Sequence, residues 1–295
     1  MTEPDHVWRQ IETLLGRAET AALLVAPFIK KAVFEAVLAA IPPSVQRVDC
    51  VTRWTPAEVA AGVSDPEILD LASEDGRVHV ALCPSLHAKV YRADDRCLIG
   101  SANLTGKATG RASDANIELL IEAPASHPEV QRVVRELEAA SIPATAHMAA
   151  LVRQQAELLT ADGATEPRPV MAWYPVTRRP EALFMFYSGR SRFAEAVEAG
   201  LVQDLALMNI PAGLSEAQFN TAVHDRLHAI PELRKLRNGQ PLSNTELRQA
   251  IEERADVTGS QAHRITEIIA AWLKHFGSYY TEVGSWELRH GRELG

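Results

Sequence analysis

Between residues 21 and 121 the chain alternates short apolar runs with segments of helical period, and this alternation restricts the fold more than any other feature. Residues 21–28, 45–53, 77–83, 87–93, 96–100 and 116–121 read as strands. Nearly continuous apolar strands are those covered on both faces. Residues 5–15 and 30–40 carry the helical spacing, Pro42 and Pro43 stop the second of these, and Thr55 caps a helix opening at Pro56. Helical patterns return at 127–140 and 146–159. Strands mixed with covering helices predict an α/β sandwich with a mixed sheet over residues 1–160.

Residues 161–170, ADGATEPRPV, have linker chemistry, so 161–295 is expected to form a second, mostly helical domain. Its first part, 171–187, is open between short strands and loop, and 191–207 and 216–230 have helical character. Ser243 and Glu246 have capping-box spacing, and Ser260 opens a last helix. In that helix Ile265, Ile268, Ile269, Trp272 and Leu273 form one apolar stripe, and residues 279–288, turning at Val283 and Gly284, read as a hairpin. Helix, turn, helix and hairpin over 240–295 resemble a winged-helix module, and equally a helical packing or dimerisation domain with a terminal hairpin.

Composition is that of a folded, soluble protein, with 46% hydrophobic and 23% charged residues. Against 30 Lys and Arg stand 38 Asp and Glu, a net charge of -8, which argues against a surface basic all over for nucleic acid or anionic membrane. Local basic clefts stay open. The cysteines Cys50, Cys83 and Cys97 are odd in number and lie in or beside apolar runs, so core filling in a reducing cytoplasm is expected rather than a disulfide framework. The first nine residues lack a basic region, and no apolar run approaches the length of a membrane span, so neither a targeting segment nor a membrane role is expected.

The segment that carries chemistry runs from Ser85 to Thr105 and contains H-x-K-x4-D followed by G-S-x-N, with Glu118 downstream. On a strand His87 and Lys89 face the same way, while Ala88 and Val90 face the other. Ser101 and Asn103 follow the next strand and offer neutral donors, and neighbouring strands about 4.8 Å apart can gather all these groups. Such a set suits phosphoryl transfer: an imidazole attacks phosphorus while Lys and Asn donors hold the non-bridging oxygens, with no metal and no cofactor required. A carboxylate such as Glu118 would bond the other ring nitrogen and fix its tautomer.

In these residues the chain resembles the phospholipase D superfamily, over residues 20–140. The resemblance implies that His87 is the nucleophile of a phosphohistidine intermediate, that Lys89 and Asn103 bind phosphate, and that Ser101 and Glu118 support them. It makes Asp94 a structural member of the motif. The reaction needs two histidines, yet the chain has one copy of the motif: His224, His228, His263, His275 and His290 all lack the lysine. A two-fold homodimer is therefore expected to complete the site.

Other candidates are weaker. Arg53 and Trp54 end a strand where open sheets bind ligands, and they are expected to contact substrate, Trp54 by stacking. The loop 105–115 carries Lys107 and Arg111 as candidate grips on a phosphate backbone. His224 and His228 have a spacing that can bind metal, but no third ligand in register, so plain surface histidines are expected. The expected activity is a metal-independent nuclease, DNA favoured, with a protein partner in a larger system also considered. The alternatives are a non-catalytic dimeric scaffold that binds nucleic acid or a partner protein, and a phospholipid phosphodiesterase.

Overall fold

The computed structural model describes residues 5–161, 173–254, 257–281 and 286–291. The chain divides into two compact units, residues 1–156 with 211–213, and residues 157–210 with 214–295.

In the first unit the elements follow as α1 (His6–Leu15), β1 (Ala21–Val25), α2 (Lys31–Ala40), β2 (Arg47–Thr52), α3 (Pro56–Ala60), α4 (Ile68–Asp75), β3 (Val78–Leu82), β4 (Val90–Ala93), β5 (Arg96–Gly100), β6 (Leu120–Pro124), α5 (Pro128–Ala140), β7 (Ile142–Pro143) and α6 (Ala146–Ala161). The strands form one sheet of order β6-β5-β4-β1-β2-β3-β7. Pairings β1·β2 and β2·β3 are parallel, and β1·β4, β4·β5, β5·β6 and β3·β7 are antiparallel. This is the mixed α/β sheet expected.

The lack of polar alternation in β1 has the cause anticipated. Ala22 and Leu24 face a layer containing Ile11, Leu15, Phe34, Val37, Ile68 and Val152, while Leu23 and Val25 face Val130 and Leu137 of α5. Burying each such Leu or Val contributes roughly 1.5–3 kcal/mol. Local signals set the helix starts: the Thr55 side chain accepts from Glu58 N, and the His127 side chain accepts from Glu129 N, each ahead of a proline.

Strand ends differ from the sequence expectation. β1 stops at Val25, because the chain then leaves the sheet and bridges Ile29 to Leu104. β4 starts at Val90 rather than at residue 87, and β6 at Leu120 rather than at residue 116. Helix α4 was not foreseen, although Gly76 in the left-handed region (φ 72°) closes it in a standard way.

The second unit contains α7 (Glu181–Tyr187), α8 (Glu195–Met208), α9 (Glu216–His228), a 3-10 turn (Pro231–Leu233), α10 (Arg234–Arg237), β8 (Leu242–Ser243), α11 (Asn244–Arg254), α12 (Gly259–Phe276), β9 (Tyr279–Thr281) and β10 (Glu287–His290). It is mostly helical, as expected, and the open segment 171–187 resolves into a helix at its end. Its core is aromatic: Tyr187 and Phe219 rings lie 4.6 Å apart, and buried Trp272 donates to Thr177 O at 2.7 Å. The expected capping box at Ser243 and Glu246 is present in both directions. β9 and β10 pair as a hairpin, and its turn at Val283 and Gly284 lies outside the described residues. Most of the 161–170 linker is also outside them, and the division between units falls inside α6.

All three cysteines are buried and free. Among the described residues no helix is long and apolar enough to cross a membrane.

Candidate active site

The register of the sheet decides which groups meet. Val25 pairs with Val90, Val90 with Ile99, and Gly100 with Leu120. His87 and Lys89 enter β4, Ser101 and Asn103 leave β5, Glu118 enters β6, and Arg53 leaves β2, so all six sit at one end of the sheet. It is the end where the parallel strands present their carboxyl termini, the usual ligand edge of open α/β sheets.

Each group is held by identifiable contacts. Gly100 N donates to Lys89 O at 3.4 Å and continues the ladder one residue beyond β4. Lys89 is 9% exposed, and its Nζ donates to His87 O at 2.8 Å. Burial pushes this ammonium below its ordinary range, the Arg53 guanidinium pushes it the same way, and the Glu118 carboxylate pulls it back. Arg53 is clamped by Glu58, donates to Leu86 O at 2.9 Å and lies over the Phe28 ring at 5.3 Å. Asn103 Oδ1 accepts from Phe28 N at 3.4 Å, and its NH2 has no protein partner among the described residues. Ser101 Oγ donates to Glu118, and Glu118 Oε1 also accepts from Asn116 Nδ2 at 3.1 Å. The His87 side chain is exposed, with no hydrogen-bond partner for its ring among the described residues.

Gly100 explains one letter of the motif. A Cβ there would lie 1.8 Å from Leu119 O, so only glycine lets the strand leading to Glu118 close against the one leading to Ser101.

Asp94 stands at the opposite end of β4, in the left-handed region (φ 50°). Its carboxylate accepts from the backbone of Glu19, Thr20 and Ala21 and from the Thr20 hydroxyl, tying the turn after β4 to the start of β1. Partial burial would raise its carboxyl, but these hydrogen bonds outweigh it and hold the group at about 2. The Asp of the motif is thus a clamp on the sheet, away from the reacting groups.

Three expectations need correction. Trp54 is 0% exposed and packs in the core, its carbonyl accepting from Ala212 N at 2.9 Å, so no face is open for a substrate to stack on. Lys107 pairs with Asp114 at 2.5 Å and Arg111 stacks on Trp8 at 4.3 Å, which ties both cations to local partners instead of offering them to a backbone. Glu118 bonds Ser101 and Asn116 rather than the His87 ring, because both of its oxygens are already engaged. His224 and His228 stack at 4.2 Å, and His228 Nε2 meets Tyr279 Oη at 3.0 Å, which is ring packing rather than a metal cage. Sequence reasoning missed Phe28, Glu58 and Asn116. All three act by holding another residue, and nothing in their spacing marks that.

No family model and no curated protein matches the chain. Among solved structures it is similar to NucT from Helicobacter pylori, with 11% identity over 48% of this chain and 93% of that one and a TM-score of 0.36. It is also similar to Nuc from Salmonella typhimurium, described as a phospholipase D family member, with 17% identity, 47% and 91% coverage and a TM-score of 0.36. The first unit itself is α/β, with a seven-stranded mixed sheet. A third similar structure is the phosphatidylserine synthase of Haemophilus influenzae, at 14% identity and a TM-score of 0.37, of which the matched part spans 43%. At these TM-scores the superpositions decide nothing about activity; the chemistry of the first unit rests on its own residues.

Proposed function

We propose that this chain is a metal-independent phosphodiesterase, a nuclease, working through a phosphohistidine at a site completed by a second copy. The observation that carries the reading is an exposed His87 at the same sheet end as Arg53, Asn103 with its free NH2, and a buried Lys89 whose Nζ donates to His87 O. His87 attacks phosphorus, and the bond from phosphorus to the leaving oxygen breaks. His87 of the second copy supplies the proton to that oxygen. The same second imidazole then takes a proton from water, which attacks the phosphohistidine and returns His87 free. Lys89 neutralises and the Asn103 NH2 hydrogen-bonds the non-bridging oxygens as charge redistributes, while Arg53, clamped by Glu58, adds positive charge beside Lys89. Ser101 and Glu118 stiffen the loop that carries Asn103.

The dimer is supported by surface chemistry beside the site. Ile117, Leu119 and Ile121 are 104%, 63% and 51% exposed, and they alternate along the edge that carries Glu118. An apolar edge of this kind calls for a partner. Turnover of plasmid, single-stranded DNA, RNA and a small phosphodiester in EDTA, beside His87→Ala, tests the proposal. Activity in EDTA that His87→Ala abolishes is expected; strict dependence on added divalent metal would overturn it.

A further inference from the structure

The second unit contains an arrangement that the phosphodiesterase chemistry does not use. β10 pairs with β8 on one side and β9 on the other, so the last strand lies in the middle of a sheet of order β8-β10-β9. Between β8 and β9 run α11 and α12, giving the order strand, helix, helix, hairpin. Helix α12 buries Ala262, Ile269, Trp272 and Leu273 on one side. On the other, Ser260, His263, Arg264, Glu267, Lys274 and His275 are exposed.

We propose that this is a winged-helix surface for double-stranded DNA, with the exposed face of α12 seated in the major groove. The proposal deepens the nuclease reading and rests on it for its purpose, since it names the duplex as the substrate. Four observations favour this occupant. Arg264 and Lys274 face out beside two imidazoles against a single carboxylate, Glu267, which Asn244 Nδ2 engages at 3.1 Å, whereas the whole chain is at -8. Flanking elements border that face as a helix-turn-helix with a wing requires: the N-terminus of α11 through Asn244, and β9 through Lys274 Nζ to Thr281 Oγ1 at 2.7 Å. With 18 residues α12 is about 27 Å long, and a major groove about 12 Å wide admits such a helix. Arg264 has no protein partner among the described residues and matches the bidentate donor that guanine edges take.

The test uses the full chain carrying His87→Ala, with a labelled random-sequence duplex, a single strand and an RNA hairpin of equal length, read by anisotropy across a salt titration. Preferential duplex binding is expected, with Arg264→Glu weakening it at least about tenfold and lowering the salt slope by about one per lost phosphate contact. Ser260→Asp is a second variant: a carboxylate in the first turn suits the helix but repels phosphate. It is expected to weaken duplex binding with no loss of thermal stability. Absence of duplex binding, preference for RNA or single strand, or binding unchanged in both variants overturns the proposal. Hydrolysis of a small diester by the unsubstituted chain is measured separately. Hydrolysis without duplex binding sinks the DNA surface and keeps the phosphodiesterase. Duplex binding without hydrolysis keeps the surface and sinks the nuclease.

Discussion

An ammonium group enclosed like that of Lys89, beside the like charge of Arg53, opposes folding, because lost hydration is only partly replaced. In the proposed reaction it holds the phosphate oxygens. Lys89→Met is therefore expected to leave the melting temperature unchanged or raised, while phosphodiester turnover loses about 3–4 kcal/mol of transition-state stabilisation. Calorimetry beside steady-state kinetics checks this, and a destabilised but active variant would remove Lys89 from the reaction. Asp204 gives a prediction with pH. Burial pushes its carboxyl up to about 6, although the backbone amides of Thr177 and Val176, which donate to it, pull it back. The folded chain therefore keeps a proton that the unfolded chain has released between about pH 4 and 6, so the contribution of Asp204 to stability falls as pH rises through that window. Asp204→Asn retains an acceptor for the Val176 and Thr177 amides and should flatten the stability curve there; denaturation midpoints at pH 4, 5 and 6 with an unaltered slope would refute this. At this scale the gathering of His87, Lys89, Ser101 and Asn103 at one sheet end was legible, because each lies within three residues of a strand that the apolar runs mark. Trp54 was not, because burial is settled by what packs around it.

Strands 4 to 6 of the sheet work as one device, in which register brings together residues 30 positions apart. Residues 117, 119 and 121 turn apolar side chains outward on the same edge that turns Glu118 inward. The paired change Ile117→Lys and Leu119→Lys is expected to convert a dimer into a monomer and to abolish turnover with it, while the far-ultraviolet dichroism stays that of the parent. Sedimentation at matched concentrations decides; a monomer with full activity would show that one copy suffices. The strand positions were legible from apolar runs, but their ends were not. Past Ala26, whose N still donates to Val51 O, the chain turns away to bridge Ile29 to Leu104, and ahead of Leu120 the Leu119 N donates to the Ser101 hydroxyl instead of a strand carbonyl.

Across the whole molecule, the first unit recruits a piece of chain far from itself. Residues 211–213 return to it: Ala212 N donates to Trp54 O at 2.9 Å, and Gly213 sits at φ +94° where a Cβ would approach Leu82 Cβ to 3.0 Å. Gly213→Ala is expected to destabilise this unit by about 1–3 kcal/mol through backbone strain and overpacking. A melting transition equal to that of the parent would show that the return is loose. Amino-acid order alone determined the sheet-forming runs, the capped helix starts, the division into an α/β part and a helical part, and the set of polar groups that the motif holds close together. These are properties of neighbours along the chain, where periodicity, proline and side-chain chemistry act directly. Tertiary structure decided which end of the sheet gathers those groups, which backbone amides Asp94 clamps, that Lys107 and Arg111 have local partners, and that Trp54 is core. Those outcomes follow from desolvation and pairing between distant segments, whose free energies exist only once the chain has folded.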